Sequence, residues 1–426
     1  ALRLPGNIDF AFFQPLAQIV RGQVHQHYVV GGMPCAISLD DGNAPINAAR
    51  LAIVDRSINQ ARHMMNDYYL PDVLAAGHLY VQKGYTSGGG LAKKRVLGFG
   101  MFPEEPFSGA ANGDFFKNLL VRCNGVVEDF AEGVMKAKVY DFTEKDLTDT
   151  DGVAESVEHG WYEYKGGDDK ALHPWEGETT PHYTEPKEGT KTEWKALNEQ
   201  GKYSWLKTPK WRGKLCEVGP LARYIVLYTK AKQGLLGDLT WAEQMIVDQI
   251  DAVTKLLNVP VEAWLLSTVG RTAARALDAQ LQAEISKYFF DKLVANIKSG
   301  DTKVVNTEKW EPSTWPKEAK GVGLYEAPRG ALSHWVVIKD GKVANYQAVV
   351  PTTWNACPRD DAEGHGAYEL SMMDTPVKVA DKPLEIVKAV RSFDPCMACS
   401  THLFNAKGEK IRVVTTDPYA GVSVDE

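Results

Sequence analysis

From Thr268 to Ser299 the chain repeats an apolar residue at helical spacing, with Leu277, Leu281, Ile285, Phe289, Leu293 and Ile297 along one side and Gly300 after them. At about 1.5 Å of rise per residue this predicts a long helical rod. Such a rod must bury its stripe against other helices, which points to a bundle. Two further segments can supply partners. TWAEQMIVDQIDAVTKLLNVP opens on a capping box, Thr240 with Glu243, carries Ile246, Ile250, Val253 and Leu257 as its stripe, and stops at Asn258 and Pro260. A third helix is expected from about Asn43, which can cap it, with Pro45 in the first turn. Val54, Ile58, Ala61, Met65 and Tyr68 keep the spacing, and Leu70-Pro71 ends it.

Strand signals are fewer. HWVVIKDGKVANYQAVV alternates around Asp340-Gly341, a strong hairpin pattern, and runs straight into PTTWN. Between about Asp141 and Lys210 the chain is polar, contains Gly and Pro, and is dotted with Trp161, Tyr162, Trp175, Tyr183, Trp194 and Trp205. A segment so long without periodicity is either functional or packed against something large, and its aromatics argue for packing. The expected class is therefore mainly α (α+β), a long-helix bundle with small β-hairpins. At 426 residues the chain suits two or three ordinary domains or one large interlocked unit.

The formal net charge of −7 and the absence of any Lys/Arg cluster argue against nucleic acid as a partner. No run of 18 apolar residues offers a spanning helix. Six cysteines are too few for a disulfide scaffold of this length. Cys35, Cys123, Cys216 and Cys357 stand alone and read as buried small hydrophobes; only Cys396 and Cys399 form a CxxC pair.

That pair lies in SFDPCMACSTH, Ser392 to His402. Two thiolates two residues apart can face one ion from one side of a turn, and soft thiolates select zinc, copper, nickel or iron over magnesium or calcium. Asp394-Pro395 stops the incoming helical segment, whose apolar side is Leu384, Ile386, Val387 and Val390. Three uses remain open on spacing alone. A structural zinc site wants a second pair; a redox dithiol wants a helix after the motif rather than before it; a half-site would draw its other ligands from elsewhere in the fold.

DPCMACSTH resembles the C-terminal metal motif of nickel–iron hydrogenase large subunits, DPCxxCxxH. VVGGMPCAISLD, PKWRGKLCEVGPLAR, YFFDKL, EKWEPSTWP, GVGLYEAPRGALSHW and YQAVVPTTWN resemble the same family in its order. The likeness is nearest to the membrane-bound uptake type. The resemblance implies a large-subunit domain over residues 1–402 and reversible heterolytic cleavage of H2. It implies a nickel–iron centre with CO and CN on the iron, and a magnesium ion nearby. Cys396 matches a terminal nickel thiolate, Cys399 one that bridges nickel and iron, and His402 and the carbonyl of Ala348 magnesium ligands. Arg329 matches the arginine over the open metal position, and Asp394 the carboxylate that pairs with it. Pro328, Pro351 and Thr352 match the pocket of the iron's diatomic ligands, with Thr352 donating to a cyanide.

The electrons would pass to an iron–sulfur small subunit, since this chain lacks the cysteine runs that such clusters need, and through it to a membrane cytochrome b. The expected location is the periplasmic side of the membrane. The family's first cysteine motif, which supplies the other two thiolates, has no counterpart here, so the chain looks like the C-terminal two-thirds of a large subunit. Residues 403–426 look like the extension that a maturation endopeptidase removes after His402. The alternatives are a metal-free fragment or precursor, and a structural subunit of the kind found in respiratory complex I; Cys396, Cys399, His402 and Arg329 argue against the latter.

Overall fold

The computed structural model describes residues 36–103, 115–168, 170–184, 198, 200–303, 307–308, 310–379 and 382–396. Its helices are α1 (Ala48–Met64), α2 (Leu70–Gln82), α3 (Glu144–Thr148), α4 (Pro220–Lys232), α5 (Trp241–Leu257), α6 (Val261–Leu265), α7 (Thr268–Lys298), α8 (Pro351–Ala356), α9 (Ala367–Met373) and α10 (Leu384–Ser392). α7 is the predicted rod, and α1, α2, α4, α5 and α10 all pack along it.

The α5 prediction holds in detail. Thr240 Oγ1 accepts from the Glu243 amide while the Glu243 side chain returns to the Thr240 amide, and Asn258 ends the helix in the left-handed region. α4, by contrast, has no amphipathic pattern to find, because every residue from Pro220 to Lys230 is buried. A helix covered on all sides needs no polar face.

Three expectations about helix limits and faces are corrected. α1 is capped by Asn47, whose side chain accepts from the Arg50 amide, rather than by Asn43. Leu70-Pro71 does not end the helical run. Met65–Tyr69 widen into a π turn, and α2 resumes with Pro71 in its first turn. Proline lacks an N–H and crowds the preceding turn; the wider turn relieves both. The apolar side assigned to the segment before the CxxC pair is not its buried side. Leu384 and Val387 of α10 are exposed, Leu384 at 62%, while Ala389 and Ser392 face inward.

The strands form small antiparallel sheets. β1 (Arg95–Gly98), β4 (Gly125–Glu128) and β5 (Lys138–Asp141) make one, in the order β1-β4-β5. β2 (Met101–Pro103) pairs with β3 (Leu119–Val121), β6 (Val153–Ser156) with β9 (Thr208–Trp211), and β7 (Tyr162–Tyr164) with β8 (Thr179–Pro181). The largest sheet is β10 (Ala319–Ala327), β11 (Gly330–Lys339) and β12 (Lys342–Val349). Its β11–β12 turn is the predicted one: Asp340 and Gly341 both have positive φ, 52° and 71°, as a two-residue primed turn requires. β10 was not foreseen, and its pairing makes Pro328-Arg329 the turn of a second hairpin, with Ala327 opposite Gly330.

The described residues of the polar stretch 141–210 are packed, as its aromatics suggested. Trp175 lies edge-on to the buried Trp335 of β11 and donates from Nε1 to the Gly321 carbonyl at 3.0 Å. Trp161, Tyr162 and Tyr183 gather around Trp205; Trp194 lies outside the described residues. Among the described residues no helix is long and apolar enough to cross a membrane. Cys123, Cys216 and Cys357 are buried, in keeping with their reading as small hydrophobes; Cys35 lies outside the described residues.

Candidate functional site

Three pieces of chain meet around the described part of the predicted metal motif. The first is the Pro328-Arg329 turn. Gly330 has φ +127°, and a Cβ there would stand 2.5 Å from the Gly219 amide nitrogen, so only glycine lets the turn approach the start of α4. Arg223 of α4 then holds the turn, donating from Nη1 to the Ala327 carbonyl at 2.9 Å and to Glu326 Oε2 at 3.0 Å. Its other side grips Asp278 of α7 through Nε and Nη2 at 3.1 and 2.6 Å.

The second piece is the end of β12 and the start of α8. Pro351 occupies the first turn, where its missing N–H costs nothing, and Thr352 is buried. Asn355 fixes this helix to the chain ahead of Gly219, accepting from the Val218 amide and donating to the Val218 carbonyl. Ala348 lies in β12 opposite His334, three residues before Pro351.

The third is the run Ser392–Cys396. Arg275 Nη1 donates to the Ser392 carbonyl at 2.8 Å. The guanidinium of Arg271 stacks 3.9 Å from the Phe393 ring centre. Arg329 Nε donates to the Asp394 carbonyl at 2.8 Å and stands 3.4 Å from its carboxylate. The Cys396 amide reaches Thr352 Oγ1 at 3.4 Å. Asp394 itself takes φ +56°, a left-handed turn that aspartate tolerates better than most residues and that ends the helix ahead of Pro395. Cys396 is a half-exposed thiol rather than half of a disulfide.

The predicted residues Pro328, Arg329, Pro351, Thr352, Asp394 and Cys396 therefore lie on three adjoining segments, with direct contacts from Arg329 to Asp394 and from Thr352 to Cys396. Cys399, His402 and the extension 403–426 lie outside the described residues. Pro328 is exposed, and the Arg329 side chain is 40% exposed.

Sequence reading missed the charged frame behind these groups. Glu217 receives Nε and Nη2 of Arg271 at 2.6 and 2.8 Å, and Arg271 also donates to the carbonyls of Gly88 and Gly89. Burial pushes the Glu326 carboxyl up, with Arg223 pulling the other way. Burial likewise pulls the Arg275 guanidinium down, against the attraction of Asp394. The signal was present in RTAARALD, where charges interrupt an alanine-rich stretch at i, i+4 and i+7.

Residues 17–402 match the family described as nickel-dependent hydrogenase. The chain is 43% identical over 394 residues to the uptake hydrogenase large subunit of Rhodobacter capsulatus, covering 92% of this chain and 61% of that protein. It is 42% identical to the hydrogenase-1 large chain of Escherichia coli, again covering 61% of it. Among solved structures, the reduced, active Ni-Fe-Se hydrogenase of Desulfomicrobium baculatum matches with a TM-score of 0.66 at 28% identity, over 91% of this chain and 66% of that one. The fold, helices with small sheets, is thus that of the hydrogenases it matches. The chain belongs to the nickel-dependent hydrogenase family, and it spans about 61% of the length of these two relatives.

Proposed function

We propose that this chain forms part of the catalytic large subunit of an uptake-type nickel–iron hydrogenase, with Cys396 and Cys399 as two of the thiolates that hold the metals. The observation that carries this reading is the meeting of Arg329, Asp394 and Thr352 on the backbone that delivers Cys396. The donor chemistry fits the group. Cys396 is a free, half-exposed thiol, and a sulfur donor of this kind is the soft ligand that nickel and iron take over magnesium or calcium. Bound there, a nickel–iron centre carrying CO and CN would supply the heterolytic splitting of H2.

The protein's part is positioning and charge. Arg329 uses Nε on Asp394, and among the described residues its terminal nitrogens have no hydrogen-bonding partner; they are available to an anionic diatomic ligand or to orient substrate. Arginine is too weak an acid to act readily as a base. Thr352 accepts from the Cys396 amide and still has its own proton to donate to a cyanide. Pro328 and Pro351 would shape the pocket without adding donors. His402 and the carbonyl of Ala348 would contribute to an oxygen-rich magnesium site.

Residues 1–402 would act as one domain, with 403–426 removed by an endopeptidase on maturation. The electrons would leave through an iron–sulfur small subunit and a membrane cytochrome b, with the complex on the periplasmic side. The test is elemental nickel together with infrared bands of metal-bound CO and CN on the full complex. Nickel near one per chain with both kinds of band is expected; neither nickel nor bands would sink the reading.

A further inference from the structure

α7 carries Arg271, Arg275 and Asp278 on one face, and each supports a different part of the site. Asp278 holds Arg223, which holds the turn bearing Arg329. Arg271 stacks on Phe393. Arg275 binds the Ser392 carbonyl and faces the Asp394 carboxylate, Nε to Oδ2, at 3.9 Å. Both members of the Arg329–Asp394 contact are therefore referred to one helix.

Arg275 differs from its neighbours. Arg223 and Arg271 each make a two-point grip on a carboxylate, so the charge of each is matched in a fixed geometry. Arg275 is buried too, yet among the described residues its Nε makes no hydrogen bond. A buried donor left unbonded costs about 1–3 kcal/mol, so stability alone does not account for it. The carboxylate it faces is turned instead toward Arg329.

We infer that Arg275 is a positioning residue: it fixes the Ser392–Asp394 backbone and flanks the Asp394 carboxylate from behind, so that Asp394 orients Arg329. This rests on the reading of Arg329 and Cys396 as parts of the metal site. Partners behind a metal's direct ligands change activity or affinity by about 10–100-fold when lost, and that is the effect expected here.

The test uses the full-length complex with R275M and R275K. R275M should lower kcat for H2 oxidation by about 10–100-fold, with nickel content kept and the CN bands shifted. R275K, which retains a charge facing Asp394, should recover at least about a tenfold share of that loss. Because both residues act on Arg329, R275M and D394N should not multiply in the double variant. R275M within twofold of the unaltered protein, with unchanged bands, overturns the inference; so does full multiplication of the two effects. If R275M does not assemble, the R275K and D394N pair decides between the same two outcomes. Amide exchange separates this from failure of the hydrogenase reading. In the chain without metal, R275M should speed exchange across Phe393–Cys396 by at least about tenfold while α7 is unchanged, and no change there overturns the inference whether or not nickel binds.

Discussion

Replacing Arg223 by methionine tests the charged frame most directly. Arg223 is 1% exposed and is shared by Asp278 and Glu326. R223M keeps most of the volume but leaves two buried carboxylates with no cation between them and the Ala327 carbonyl without a donor. Breaking a buried pair in this way costs about 3–5 kcal/mol. An independent bound comes from proton uptake, because an uncompensated carboxylate escapes by becoming neutral. For Glu326, whose ordinary value is 4.5, holding a proton at pH 7 costs two and a half units at about 1.36 kcal/mol each, or about 3.4 kcal/mol. With the lost carbonyl bond added, about 4 kcal/mol is expected at pH 7.

The sign of the pH dependence follows. In R223M the folded-state carboxyl titrates above its unfolded value, so the folded chain holds a proton that the unfolded chain has lost. The missing stability returns as pH falls toward 4.5 and is lost again as pH rises through the raised folded value. Between pH 7 and pH 5 the penalty should shrink by about 2.7 kcal/mol. E326Q is the control. It leaves Asp278 on Arg223, costs about 1–2 kcal/mol through one mismatched hydrogen bond, and adds no such proton. Urea unfolding followed by tryptophan fluorescence at the two pH values reads both. A penalty for R223M below about 1 kcal/mol at pH 7, or one equal at pH 5 and pH 7, refutes the reasoning.

In metal-free chain, brief iodoacetamide treatment with peptide mapping should label the half-exposed Cys396 and spare Cys123, Cys216 and Cys357; burial pushes all three of these thiols up, Cys216 to about 12. Labelling of those three without unfolding contradicts the packing. G330A places a Cβ 2.5 Å from the Gly219 nitrogen at φ +127°, and should cost at least about 2 kcal/mol in a thermal melt; an unchanged melt means that the turn does not approach α4 as described. His173 is buried, accepts from the Trp175 amide and contacts the Leu147 carbonyl, and burial holds its pKa below 6.5. Its unfolded form protonates first as pH falls through about 6.5, so stability should decline below that pH by up to about 1.4 kcal/mol per unit. H173Q should flatten the decline, and an identical slope in the variant rules His173 out as its source.

What was legible in the sequence follows from where periodicity survives. α5 and α7 repeat apolar residues against polar ones, and Thr240, Glu243 and Asn258 mark boundaries by local hydrogen bonding that distant chain does not alter. Asp340-Gly341 fixes its hairpin by backbone conformation alone. α4 was illegible because complete burial erases the polar face on which period detection depends. The β10–β11 hairpin was missed because Pro328-Arg329 carries no strong turn signature; its geometry is set by Gly330 meeting Gly219 more than a hundred residues away. Pro71 misled because a π turn is a non-local accommodation of a local rule. At the site, resemblance supplied Arg329, Asp394 and Cys396; RTAARALD marks a charged face on α7, but which groups that face holds emerges only when α7 is laid against Ser392–Asp394.

The chemistry of that frame bears on why charged residues stand where a bundle would ordinarily place leucines. A buried ion pair gains little stability over well-packed hydrophobic residues of similar volume, so Glu217–Arg271 and Arg223–Asp278–Glu326 are poorly explained as contributions to folding energy. They do supply direction. An apolar contact between α7 and the chain ahead of Cys396 would tolerate sliding of α10 by a fraction of a turn, since dispersion has no preferred angle. A guanidinium gripping a carboxylate at two points, and carbonyls besides, accepts one geometry. The half-exposed apolar side of α10 fits this account, for Leu384 and Val387 cannot set its position from solvent. The placement of Cys396 in this chain is thus set by arginines on Ser392, Phe393 and Asp394, and hydrophobic packing supplies the mass behind them.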